Sequence, residues 1–263
     1  MKRPDSVGAE VLFDVQGHLV IATLNRPDKR NAVNGAVTRA MDWIVREVEG
    51  NEEIRAAVLT SSLESTFCAG ADLAEIAAGN GASLTTEDGG FAGFVDFPKT
   101  KPWIAAVRGN ALAGGCELPL ACDMIVAAED SQFGLPEVKR GLFAGAGGVH
   151  RIVRALPRNV GLELVATGDP LPAERAYQLG LINRIVPSSD VLDTAIDLGR
   201  RIAANAPLSV RESLSVARLA QELSDADLRK LSKEKSALVM TSEDAKEGPR
   251  AFLEKREPAW SGR

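Results

Sequence analysis

Histidine is nearly missing from this 263-residue chain, where His18 and His150 are the only two. A histidine metal cage, or a triad that sets imidazole beside Ser or Cys, has little to draw on, and no metal site is expected. Cysteine is scarce as well. Cys68, Cys116 and Cys122 are odd in number and match no zinc or redox spacing, which argues against a disulfide framework and predicts reduced, buried thiols. No uncharged run reaches the about eighteen residues of a membrane span, and no apolar stretch follows Met1-Lys2-Arg3 as a secretory signal requires. The expected location is cytoplasmic, with no membrane partner. Positive charge is not in excess either: 31 Lys+Arg against 36 Asp+Glu leave a net charge of −5. No nucleic acid partner is expected, and a polyanionic ligand would need a local basic site.

What the chain does have is an ordinary globular composition, 45% hydrophobic and 25% charged, and enough length to bury a full core. Residues 18–24 (HLVIATL) read as a strand, closed by the Arg26-Pro27-Asp28 turn. Val37, Ala40, Met41, Ile44, Val45 and Val48 recur at helical spacing and predict a helix over 34–49. Strands at 56–60, 103–107 and 124–127, a short helix around 117–121, and a further strand signal near 181–186 continue an alternation that argues for an α/β architecture. Residues 77–93 (AAGNGASLTTEDGGFAG) read as a mobile surface loop or a lid. Beyond Asp190 only helical patterns appear, broken at Pro207 and Ser224, and their apolar residues predict packing on the body or on a neighbouring subunit.

Two small-residue turns stand out. FCAGADL (67–73) follows a strand and opens a short helix, where free backbone N–H groups favour negative charge and the lack of bulk lets a ligand approach. NALAGGCE (110–117) repeats the arrangement. Brought together, two such turns would supply the two donors of an oxyanion hole. Glu117 follows Gly114-Gly115, and Glu137 follows Gly134-Leu135-Pro136. A carboxylate among Leu118, Pro119, Leu135 and Pro136 has its pKa raised by desolvation, and two that face each other share a proton, so that one donates while the other accepts.

Six segments carry a resemblance: LNRPDKRNAV (24–33), FCAGADL (67–73), IAAVRGNALAGGCEL (104–118), FGLPEVKRGLFAGAGG (133–148), AERAYQLGLINRIVP (173–187) and EDAKEGPRAFLEKREP (243–258). In this order they are similar to the crotonase (enoyl-CoA hydratase/isomerase) superfamily, across nearly the whole chain. The resemblance implies an α/β fold, the crotonase (ClpP-like) spiral of repeated ββα units, with a core over 1–195 and a C-terminal helical trimerisation region over 196–263. It also implies a homotrimer or a dimer of trimers. The substrate would be an acyl-CoA thioester, with no cofactor beyond the coenzyme A it carries. The N–H groups of Ala71 and Gly114 would hold the thioester oxygen, Glu117 would act as base on water, Glu137 would pass a proton to the α-carbon, and the Gly145 N–H would help hold the water. Lys29, Arg30, Ala32, Ala69, Asp72, Leu73 and Pro136 would line the substrate path, and Lys255 would reach a neighbour's coenzyme A. Both glutamates together favour hydration or dehydration. Double-bond isomerisation and a catalytically silent CoA-binding subunit are the competing readings, and the GGFAG and C-terminal segments point toward the carnitinyl-CoA dehydratase branch. Ala113 in place of a common glycine, Pro119 inside the short helix, Ala144 in place of a proline and His150 in place of a glutamine depart from the pattern without removing a catalytic group.

Overall fold

A computed structural model describes residues 8–263 of the chain. It opens on a hairpin, β1 (Val11–Gln16) and β2 (Leu19–Leu24), followed by α1 (Gly35–Gly50). The α1 N-terminus is capped by Asn34, whose side chain accepts from the Val37 N–H, and its carboxyl end by Lys101, whose buried ammonium donates to the Val48 and Asn51 carbonyls.

One unit then recurs three times: a long strand, a short strand in a second sheet, and a helical turn. The first is β3 (Ala56–Ser61), β4 (Thr66–Cys68) and α2 (Leu73–Ala77). A two-stranded ribbon, β5 (Thr85–Thr86) and β6 (Gly90–Phe91), intervenes. The second unit is β7 (Trp103–Val107), β8 (Asn110–Leu112) and α3 (Gly114–Leu120); the third is β9 (Met124–Ala128), β10 (Gln132–Gly134) and a 3-10 turn at Pro136–Arg140. After these come α4 (Gly148–Ala155), α5 (Arg158–Thr167), β11 (Leu171–Pro172), α6 (Ala173–Gln178), β12 (Arg184–Val186) and α7 (Val191–Ala203).

The long strands form a sheet in the order β1-β2-β3-β7-β9-β12, parallel except at the β1/β2 hairpin. The short strands stack as β11-β10-β8-β4, so that successive units lie side by side. Parallel strands covered on both faces are apolar throughout, and β3 and β7 are buried at every position. One face of β2 and β3 (Val20, Ala22, Ala57, Leu59) joins α1 and the fully buried Trp103 in the main core. The other face (Leu19, Ile21, Ala56, Val58) packs on Val191, Ala195 and Ile196 of α7. The expected division at 195/196 falls inside this helix.

Three helices complete the chain: α8 (Pro207–Ala217), α9 (Asp225–Met240), capped by Ser224, and α10 (Glu243–Glu254). Arg218 ties α8 to the body by clamping both oxygens of Asp123 (2.7 and 2.9 Å). Neither α8 nor α9 fully buries a residue, and Met240, Phe252 and Leu253 are among the most exposed large apolar side chains. The final residues fold back: the Trp260 ring N–H donates to the Ala204 carbonyl, and buried Asp244 accepts from the N–H groups of Ser261 and Gly262. No helix among the described residues is long and apolar enough to cross a membrane.

Candidate active site

The three units place their helical turns next to one another, and the predicted chemistry falls on those turns. β8 pairs in parallel with β10, Leu112 opposite Gly134, and the Ala113 N–H donates to the Gly134 carbonyl (2.9 Å). Glu117, in the first turn of α3, and Glu137, in the 3-10 turn after β10, therefore come from adjacent strand ends. β4 lies on the other side of β8. Its turn touches that of α3: a methyl group added at Gly70 would stand 2.9 Å from the Ala113 Cβ and 3.0 Å from the Gly114 nitrogen. Gly115 lets α3 begin this close to β4, because a Cβ there would lie 2.0 Å from the Cys68 carbonyl oxygen. Among the described residues, neither the Ala71 nor the Gly114 N–H donates to a group of the chain.

Ala113, just before Gly114, adopts φ 54° and ψ −134°. This left-handed conformation suits glycine and strains any other residue. The site thus holds a strained peptide immediately ahead of one of its free donors.

Glu117 is only 3% exposed. One of its oxygens accepts from the N–H of Gly148 (2.8 Å), the first residue of α4. Burial pushes the Glu117 carboxyl up to about 7 against this hydrogen bond, and the charge of Glu137 adds to the rise. Glu137 is also raised, chiefly by burial and against its own backbone N–H and Arg140. Its Oε2 atom is buried and has no hydrogen-bond partner among the described residues.

Lys29, Arg30 and Ala32 lie along the segment that carries Ala69, Asp72 and Leu73: the Ala69 N–H donates to the Arg30 carbonyl and the Asp72 N–H to the Val33 carbonyl. Lys29 and Arg30 are exposed, as is Leu73 at the start of α2. Asp72 has both oxygens engaged inside the chain, one capping α2 at the Ala74 N–H and the other paired with Arg26 (3.1 Å). Pro136 opens the 3-10 turn of Glu137. Gly145 is exposed in the loop before α4, and the backbone N–H that donates to Glu117 is that of Gly148. Lys255 caps the end of α10 in a left-handed conformation and makes its backbone bond within that helix. His150 is exposed on α4. Among the described residues no group of His, Cys, Asp or Glu is arranged to hold a metal ion.

Four contributors carry little or no signal in the sequence. Arg26 was legible only as part of a turn, yet it bridges Asp72 and the Ala32 carbonyl (2.5 Å). Gly148 carried no signal beyond lying in a glycine run. Arg151 donates to the Ala146 and Val95 carbonyls and pairs with Asp96, joining α4 to the segment after β6. Phe91, the last residue of β6, sets its ring against Gly114.

Residues 14–263 match the family model described as enoyl-CoA hydratase/isomerase. A carnitinyl-CoA dehydratase from Salmonella paratyphi A is 38% identical over 252 residues, covering 94% of this chain and 96% of the relative. The solved structure of an enoyl-CoA hydratase from Mycobacterium tuberculosis H37Rv superposes with a TM-score of 0.93 at 45% identity, over 97% of this chain and 99% of that one. A carnitinyl-CoA hydratase from Mycobacterium avium gives 0.78 at 47% identity, again over 97% and 99%. With this agreement of sequence and fold, the chain belongs to the enoyl-CoA hydratase/isomerase family and is an enoyl-CoA hydratase-like hydro-lyase.

Proposed function

We propose that the protein catalyses the reversible syn addition of water to a trans-2-enoyl-CoA, giving a 3-hydroxyacyl-CoA. The observation that carries this reading is the pair of desolvated carboxylates, Glu117 and Glu137, set on adjacent turns beside two unengaged backbone N–H groups. The thioester oxygen accepts from Ala71 and Gly114, whose N–H groups stabilise the charge that develops there as water adds. Glu117 takes a proton from the water as its oxygen bonds to C3, and Glu137 delivers a proton to C2. Each carboxyl then exchanges its proton with solvent, which restores the starting state. Glu117, near neutrality in its titration, suits a base that must both accept and release a proton.

Coenzyme A is part of the substrate, and no other cofactor enters the reaction. Lys29 and Arg30 meet the nucleotide phosphates at the rim. The helical region from residue 196 onward builds a homotrimer or a dimer of trimers, which covers the exposed apolar faces of α9 and α10, and Lys255 extends toward a neighbour's coenzyme A. The enzyme works in the cytoplasm. The similarity to carnitinyl-CoA dehydratases supports a polar or branched acyl group, whose dehydration is the same chemistry run backward. The test is loss of enoyl absorbance with crotonyl-CoA, longer enoyl-CoAs and crotonobetainyl-CoA. Turnover of at least one is expected, and failure on all of them would overturn the reading.

A further inference from the structure

The segment Gly-Gly-Phe-Ala-Gly (89–93) has one side chain larger than a methyl group, and the fold goes to some length to place it. Gly93 sits at φ 63° against α1, where a Cβ would lie 2.7 Å from the Asp42 Cβ, and Ala92 (φ 57°) is fully buried. The turn closes on itself, the Asp96 N–H donating to the Gly89 carbonyl and the Gly93 N–H to the Gly90 carbonyl (both 3.0 Å). It is tethered from two sides. Thr86 and Asp88 bond to Asp42 and Arg46 of α1, while Arg151 of α4 holds Val95 and Asp96. The result is a braced wall that presents Phe91, only partly buried, to Gly114: a methyl group at Gly114 would stand 2.7 Å from both Cε1 and Cζ of the ring.

The Gly114 Cα is one bond from the N–H that receives the thioester oxygen in the proposed reaction. A carbonyl held there has the edge of the Phe91 ring beside it. We infer that Phe91 is a specificity-determining residue, its ring closing one side of the acyl site so that a short acyl group is accepted and a long straight chain is excluded. This rests on the proposed placement of the thioester, and deepens it by naming the acyl class.

The test compares wild type with Phe91→Ala and Phe91→Leu, using kcat/KM for crotonyl-CoA and trans-2-decenoyl-CoA and, separately, Kd for butyryl-CoA and decanoyl-CoA. Phe91→Ala is expected to raise the long-to-short ratio by about tenfold or more in both measurements, and Phe91→Leu by less. A ratio within about twofold of wild type, in a variant with unchanged near-UV circular dichroism, would overturn the inference. Should Phe91→Ala fail to fold, Phe91→Leu, which keeps most of the apolar packing, decides by the same ratio. The binding arm separates the two readings: a shifted Kd ratio without any turnover sinks the hydratase reading and leaves Phe91 as the selector. Turnover with an unmoved ratio does the reverse.

Discussion

Glu117 is held in an environment that favours its neutral form, and this has a consequence for stability as well as rate. Its folded pKa, about 7, lies above the value near 4.5 of an unperturbed glutamate, so between those pH values the native state holds a proton that the unfolded chain has lost. Stability from this group therefore falls as pH rises through that window and levels off above it. Replacing Glu117 by Gln removes the titration while leaving an oxygen to accept the Gly148 N–H. Urea melts should find Glu117→Gln more stable than wild type at pH 8, by up to roughly 3 kcal/mol, with the gap closing below pH 5. The same variant should lose turnover by about two orders of magnitude or more, while acyl-CoA binding measured by calorimetry persists. A rate near wild type would make Glu117 a structural residue. Ala113 offers a second contrast: Ala113→Gly relieves the strained conformation at a smaller entropic cost, and thermal melts should show it more stable by about 1 kcal/mol.

At the scale of elements, the units meet through backbone contacts that leave no room for side chains. Gly115→Ala would drive a methyl group into the Cys68 carbonyl, which cannot retreat without moving β4 and the turn it carries. A loss of about 2 kcal/mol or more in denaturant melts is expected, together with reduced turnover, because α3 and the Gly114 donor would shift as one piece. The long parallel strands were legible because burial on both faces makes them unbroken apolar runs, as in 103–107. α1 was legible from its period, down to Asn34 at its start. β1 was not: as an edge strand with exposed Leu12 and Val15 and polar Asp14 and Gln16, it gave no clean pattern. β4, β8 and β10, three residues each, are too short to show a period at all. The segment 77–93 read as loose because it is polar and glycine-rich, whereas it is tied down by partners distant in sequence, Asp42 and Arg46 of α1. For the same reason, the glutamates and their glycines could be picked out from local context, but Gly148, Arg26 and Phe91 could not.

At the scale of the whole molecule, the C-terminal region is held by few but well-buried polar contacts. Asp244, 3% exposed, accepts from both backbone and side chain of Ser261 and from the Gly262 N–H. Asp244→Ala leaves these donors without their carboxylate, and a loss of about 2–3 kcal/mol is expected in urea melts. If α8 to α10 form the subunit interface, the midpoint of unfolding should also depend on protein concentration in wild type, and light scattering should report a trimer or hexamer. A monomer at micromolar concentration would contradict the proposed assembly.

The distribution of the site over successive ββα units bears on how such an enzyme could be retuned. On the proposed roles, the donor turns belong to the first and second units, the carboxylates to the second and third, and the Phe91 wall to the connection between the first two. No single unit holds the whole chemistry. On the proposed roles, exchanging Glu137 alone would remove proton delivery to C2 while the grip on the thioester survives in the neighbouring units. Exchanging Phe91 would change what is admitted without touching either proton path. A spiral built this way lets natural or laboratory evolution vary acceptance, activation and proton delivery one at a time, each step starting from a protein that still binds its thioester.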